Sequence, residues 1–563
     1  MAAKLTPLAK ILIALTIIAV TFAIAWNLGL KDYWGSAGKS RETAADGTAV
    51  TIKKEQKAGK SFFGFGNGSS GPLGSKTNPL KVSIVSFHGY APALLANGKS
   101  LTTQPGSTFD QLGLNLELVI QDDIPTLSTI FESKAASCAW RTSDFWAQEH
   151  PNLRNAGLDA KAIMVVDNTQ GADAIIANDP SINSIEDLAG KKIALLQYTP
   201  SDGMVIDAID NSSLSARKKQ SIQFVYINVD EGTAGVRAAF NSGQVDAAAL
   251  WDPDLSLALN ATPGAKVVYS TKTATNLIYD VIVCDSRIIN DPANEDALKN
   301  LVKGWMAGVN QARQNPDEAV DALVKTEEFF TLLAKEQGAG FIKGLFGNIV
   351  WTGLEDNIRI LGMAGGTNHY ERVYRHFDKI YRKAGALANP NSPVINPQES
   401  FDYRFVNSMM AENQAAKKAA EKPEFTFSSS ERDEAAVKPA ALTKPVSVNF
   451  ATGSFEFSKL SKRIIDTEMV PLIESNGSAY FEVSGNTDST GSRKFNMRLS
   501  RQRAQVVVDY LVREWEFKRD RFVVMGNGPD KPICNEQQPG SEGLNLAECR
   551  ARNRTTRVSV LSR

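Results

Sequence analysis

The chain has 563 residues, too many for one hydrophobic core, and its 43% apolar and 22% charged content is that of folded globular protein. Lys+Arg and Asp+Glu number 62 each, so neither a net field nor a basic run points to nucleic acid. Only four histidines are present, none at metal-ligand spacing with a cysteine, which leaves a zinc site or a histidine-based triad poorly supplied.

Lys4 and Lys10 precede an apolar run from Ile11 to Leu30. At 1.5 Å per residue such a run covers about 30 Å, the hydrocarbon thickness of a bilayer. The charge placement predicts residues 1–10 in the cytoplasm, 11–30 as a transmembrane anchor in the inner membrane, and the remainder in the periplasm. Ala23-Ile24-Ala25 leaves a second reading open, a signal peptide whose cleavage frees a soluble periplasmic protein. Either way the chain is exported. In an oxidising compartment Cys534 and Cys549, in a Gly/Pro/Asn-rich loop, are expected to form a disulfide worth about 3 kcal/mol. Cys138 and Cys284 are either a second bridge or two buried thiols.

Residues 31–78 are rich in Lys, Gly and Ser and read as a flexible tether with an r.m.s. span of about 40 Å. From Pro79 the texture changes. Leu80–Phe87 alternates with period two, and apolar strands at 116–120, 161–166, 192–196, 221–225 and 246–250 alternate with helical patterns. This βα alternation predicts an α/β domain with parallel sheets over 79–408. Its length exceeds a usual single core, so two lobes around a cleft are expected, the second over about 173–270. Residues 409–444, rich in Ala, Lys, Glu and Ser, read as a second linker, and 445–563 as a small α/β domain.

In that last domain the strand Tyr480–Ser484 leads into Gly485-Asn486-Thr487-Asp488-Ser489-Thr490-Gly491. An amphipathic helix follows, reading Asn496-x-x-Leu499-Ser500-x-x-Arg503-Ala504-x-x-Val507. A turn carboxylate and a helix guanidinium can share one zwitterion, Asp488 taking its ammonium and Arg503 its carboxylate as a bidentate pair. This strand-turn-helix resembles the OmpA-like domain, as do Phe450–Ser454 and the Gly526-Asn527-Gly528 loop with Pro532. The resemblance implies binding of the diaminopimelate stem peptide of peptidoglycan by Asp488 and Arg503, supported by Thr487 and Asn496. Two departures stand out. Asn486 replaces the usual turn histidine, and the family's terminal N-R-R-V is expanded over Asn553–Val558, with Arg557 aligned to its second arginine.

The central segment resembles type II periplasmic solute-binding proteins, the group serving taurine, alkanesulfonate, nitrate and thiamine-precursor uptake. The resemblance rests on Gly89-Tyr90-Ala91-Pro92, Asn168–Asp173, Ser184–Ala194 and Gly243-Gln244-Val245-Asp246-Ala247 with Trp251-Asp252-Pro253. It implies a ligand between the lobes, at strand ends and helix N-termini. Candidate cleft residues are Phe87, His88 and Gly89, Ser143 and Asp144, Thr169 and Gln170, Thr199 and Ser201, Trp251 and Asp252, and Asp280. Asp144 and Asp252 favour a cationic or zwitterionic solute over a bare anion. No catalytic constellation, metal site or cofactor motif emerges, so the expectation is a non-enzyme that captures a small polar solute by lobe closure and hands it to an ABC permease or another envelope protein. The competing expectation is a protein-docking scaffold tethered to the cell wall. An ion-driven stator subunit would need a carboxylate in its span, and Ile11–Leu30 contains none.

Overall fold

The computed structural model describes residues 71–563 apart from 449 and 451–453, together with an antiparallel strand pair, Glu42–Thr43 with Ala49–Val50. The expected anchor and most of the tether lie outside the described residues. Among the described residues no helix is long and apolar enough to cross a membrane. Residues 71–78 belong to the folded domain: Gly74 N–H donates to the Asn78 carbonyl, and Asn115 N–H to that of Gly74, at 2.8 and 2.7 Å.

The first lobe is built on a six-stranded sheet. Its strands are β1 (Leu80–Ile84), β2 (Leu116–Ile120), β3 (Cys138–Thr142) and β4 (Ala160–Thr169). The second lobe takes β5 (Asp173–Ala177), β6 (Lys192–Leu196), β7 (Gln223–Ile227), β8 (Ala247–Trp251) and β9 (Lys266–Ser270). The chain then returns, and β10 (Tyr279–Asp285) and β11 (Ile349–Trp351) complete the first sheet in the order β11-β4-β10-β3-β1-β2. The second sheet runs β9-β5-β8-β6-β7. Both sheets are mixed rather than parallel: β1 pairs in parallel with β2 and β3, but β10 is antiparallel to β3 and β4, and β5 to β8 and β9. The strands that carry the chain between lobes enter by crossing rather than by a βαβ connection, so the parallel rule does not bind them.

The strands flanked on both faces are near-continuously apolar, as Ile163–Val166 and Val281–Cys284 show, because helices cover both sides of the sheet. Cys138 and Cys284 are opposite each other on β3 and β10 and form a disulfide, as do Cys534 and Cys549. Helix α1 (Ser143–Asn155) follows β3, α2 (Pro200–Asp210) follows β6, and α3 (Glu295–Gln314) lies on Ala91–Ala96. That last approach is close: a Cβ at Gly308 would stand 2.1 Å from the Pro92 carbonyl oxygen. Helix α4 (His369–Ala384) packs against α1. Its N-terminus is capped by the Asn368 side chain and its C-terminus closed by Gly385 in the left-handed region.

Residues 409–444, expected as a linker, carry helices that dock on the folded domains. Helix Gln414–Ala420 buries Ala416 and Ala420 against Leu354–Ile360, and α5 (Ser429–Ala436) buries Ala435 against Tyr480 and Leu561. Alanines at helical spacing leave enough apolar surface to dock a short helix even in a Lys/Glu-rich stretch. The C-terminal sheet has the order β12 (Leu442–Val446), β15 (Thr556–Leu561), β13 (Tyr480–Asn486), β14 (Phe522–Gly528), with α6 (Arg493–Glu514) across β13 and β14. Gly485 and Gly526 admit this helix: a Cβ on either would meet backbone of Ser500 or Arg501 within 2.6 Å.

Candidate functional site

The lobes are drawn together. Tyr381 of α4 donates its hydroxyl to the Thr199 carbonyl (3.0 Å), His376 Nε2 lies 2.7 Å from Asp207, and Lys383 Nζ 2.7 Å from Asp210. At the hinge Asn348 Nδ2 donates to Asp252 Oδ2 (2.7 Å). Ten of the twelve residues expected in the cleft are buried; Gln170 and Trp251 are half-buried.

Their uses differ. The Thr199 hydroxyl donates to the Leu196 carbonyl, Ser143 Oγ accepts from Tyr279 N–H, and the Gln170 amide donates to Glu424, so these three are occupied within the fold. His88 stacks near Phe87 and Phe346, and burial pushes its imidazole down to about 3, which keeps it neutral. The remaining candidates gather around carboxylates. Asp280, at the start of β10, accepts from the Tyr90 hydroxyl (2.7 Å) and Trp140 Nε1 (2.6 Å). Its cross-strand partner is Asp167. Gly89 makes room for that side chain: a Cβ there would stand 2.1 Å from Asp167 Oδ2. Asp173, beside the Thr169 hydroxyl, feels the charges of Asp280, Asp144 and Asp252.

Burial raises the pKa of every one of these acids. Asp144 and Asp252 are pushed up to about 6, softened by hydroxyl and N–H neighbours, and Asp167, Asp173 and Asp280 are raised as well, burial being reinforced by the neighbouring carboxylates. On the second lobe Asp202, at the start of α2, is likewise pushed up to about 6 by burial. Sequence reasoning missed Asp167, Asp173 and Asp202. The available signal was an aspartate breaking an apolar strand in Val165-Val166-Asp167, and a second opening the next strand.

In the C-terminal domain Asp488 Oδ1 accepts from Thr490 N–H, and Asn496 on α6 donates to the Thr490 carbonyl (2.9 Å), which ties turn to helix. The Thr487 hydroxyl donates to the Asp488 carbonyl. Arg503 is half-buried, donates from Nε to the Ser454 carbonyl (3.1 Å) and lies 4.9 Å over the Phe450 ring. The arginine set on Asp488 is Arg554, at 2.6 Å. Arg557, aligned from sequence with the family's second terminal arginine, stands on β15 opposite Ser484 and Pro445, where burial lowers its pKa to about 10. Arg554, which ends helix Leu546–Asn553, delivers the guanidinium at Asp488.

This domain also docks on the hinge of the first two lobes. Asn276, on the return crossing, donates N–H to the Ser475 carbonyl and Nδ2 to that of Glu474, both at 3.0 Å. Tyr269 donates to Asn476 (2.9 Å), and Ser478 to the Lys272 carbonyl (2.8 Å).

Two family models match the chain: NMT1/THI5 like over residues 109–319 and the OmpA family over 449–545. A protein of Escherichia coli (strain K12) named for binding aliphatic sulfonates is 35% identical over 85 residues, 15% of this chain and 24% of its own length. Outer membrane protein A of Bordetella avium is 30% identical over 128 residues, 22% of this chain and 61% of its own. The chain thus spans about a quarter and about three fifths of these two relatives. Among solved structures, the periplasmic aliphatic sulphonate binding protein of Escherichia coli aligns with TM-score 0.44 and 16% identity, over 59% of this chain and 98% of that one. The alkanesulfonate-binding protein of Xanthomonas axonopodis pv. citri aligns with TM-score 0.42 and 15% identity, over 58% and 98%. The chain therefore joins a segment that is NMT1/THI5 like to a C-terminal segment that matches the OmpA family.

Proposed function

We propose that this is a cell-envelope protein that holds peptidoglycan through its C-terminal domain and captures a small polar solute between its two lobes. The observation that supports the second half is the set of buried polar groups His88, Tyr90, Asp144, Asp167, Thr169 and Asp280 of the first lobe with Asp173, Ser201, Asp202 and Asp252 of the second. Burying so many polar groups at a two-lobed junction is what a pre-formed ligand site requires and a packed core avoids. Asp488, Thr487, Asn496 and Arg503, with Arg554 beside Asp488, form the peptidoglycan site, reading the ammonium and carboxylate of a diaminopimelate. Arg557 supports the sheet beneath it.

Capture proceeds by lobe closure without chemistry, and the solute passes to ABC-type uptake or sensing in the periplasm. An uncleaved N-terminal anchor would keep the clamp at the inner membrane while the far end grips the wall. The decisive experiment is mass spectrometry of small molecules released on denaturing the purified protein, followed by thermal-shift measurement with each. A protein that releases nothing and shifts with no solute would instead be a docking scaffold.

A further inference from the structure

We propose that the cleft takes an organic cation bearing N–H donors, an aliphatic amine or a guanidine, rather than an anion. This rests on the reading of the cleft as a small-solute site. Asp167 and Asp280 are neighbours across β4 and β10, and Asp144, Asp173 and Asp252 join them from a helix start and two further strands' ends. Among the described residues no lysine or arginine pairs with any of the five. Their neighbours are neutral: the hydroxyls of Thr142, Thr169, Ser256 and Tyr90, and the N–H groups of Asn348 and Trp140. Arg141, the nearest guanidinium along β3, is held by Glu149 and two carbonyls.

The unfilled hydrogen-bond capacity points the same way. Asp167 is fully buried and neither of its oxygens accepts a hydrogen bond. Across Tyr381, whose hydroxyl feels both Asp144 and Asp202, the second lobe presents the buried Ser201 hydroxyl and Asp202 Oδ1, also without partners. A buried carboxylate lacking both counter-ion and donors is costly, and such groups persist where a ligand completes them. An anion would add like charge. A neutral solute would supply donors without charge, and a quaternary ammonium charge without donors. A protonated amine or guanidinium supplies both as charge-assisted hydrogen bonds. Among the described residues no group of His, Cys, Asp and Glu is placed to hold a metal ion instead.

The test is calorimetric titration of the full-length protein with 1,4-diaminobutane, agmatine, tetramethylammonium, butanesulfonate and glucose. Saturable binding of 1,4-diaminobutane or agmatine, with affinity reduced at least tenfold by Asp167→Asn and by Asp144→Asn, is expected. The same Asp167→Asn change should not lower the Tm of ligand-free protein, since burial and the neighbouring carboxylates disfavour the charged form of Asp167 and the amide is close in shape to its neutral form, and this distinguishes a ligand-binding acid from one holding the fold. Binding of butanesulfonate or glucose without the amines overturns the cation and leaves the clamp standing. Binding of tetramethylammonium as tightly as the amines, or amine binding indifferent to both substitutions, overturns the assignment of donors to these aspartates. Silence from every class overturns the clamp itself.

Discussion

Arg554 Nη1 lies 2.6 Å from Asp488 Oδ2, so the turn aspartate already has a guanidinium against one oxygen while its other oxygen is held by the Thr490 amide. On the proposed peptidoglycan reading, this fixes the carboxylate in place ahead of a ligand ammonium and leaves the half-exposed Arg554 to a ligand carboxylate.

Asp488→Ala and Arg503→Ala should therefore each remove a contact worth about 1.5–3 kcal/mol, lowering retention on purified sacculi by tenfold or more. Arg554→Ala should weaken binding as well, whereas Arg557→Lys, away from the turn, should leave it near wild type. Equal pull-down by all four variants would remove the site from this turn.

The raised pKa of Asp144 makes a prediction about pH. Burial lifts it from 3.8 to about 6, so the folded state holds a proton that the unfolded chain releases between those values. Stability from this group is full below pH 4 and lost as pH rises through 6. Its surroundings are Tyr381, Asp173 and Asp280, all more weakly acidic than usual. Relative to Asp144→Asn, the ligand-free wild type should thus gain on the order of 3 kcal/mol between pH 7 and pH 4. Parallel urea titrations of the two proteins across that range measure it; curves that keep a constant separation contradict it.

Closure of the lobes should be visible directly. A solute present at 100 times Kd stabilises a form that alone binds it by about 2.7 kcal/mol. Lys383→Glu and Asp207→Ala cut contacts between α4 and α2 and should enlarge the radius of gyration of ligand-free protein in small-angle scattering, with saturating solute restoring the wild-type value. No change in either state would show that these contacts do not govern closure.

The docked C-terminal domain offers a further handle. A Cβ at Gly477 would stand 2.6 Å from both Asn276 Nδ2 and Thr275 Oγ1 on the return crossing. Gly477→Trp should release the domain, extending the particle in solution and exposing the segment around 409–444 to limited proteolysis, while sacculus binding persists. A compact, protease-resistant variant would mean that the hinge contact tolerates the change.

The fate of the N-terminus follows from Ile11–Leu30. Retention predicts native protein that begins near Met1 and stays with inner membranes after salt washing; a mature start at Trp26 in the soluble fraction would establish cleavage instead.

Much of this was legible locally. Period-two strands such as Leu80–Ile84, the Asn496-to-Val507 helix and the turn at Asp488 are written in neighbouring residues, because backbone propensity and amphipathic spacing act over a few positions. The same locality pointed to many of the strands of both α/β sheets. Three matters escaped it. The 409–444 stretch looked solvated because its burial depends on small alanines finding the helix Leu354–Ile360. The contact of Arg554 with Asp488 was not legible because the two stand sixty-six positions apart in the chain. Asp167 was hidden inside an apolar strand, its meaning invisible until β10 set Asp280 beside it and Gly89 left space above it. By itself the sequence determined many of the elements and the division into an NMT1/THI5-like segment and a C-terminal OmpA-like segment. Only the tertiary structure decided which charges meet, since the energy of a buried carboxylate is set by neighbours that are distant in the chain and absent from any local pattern.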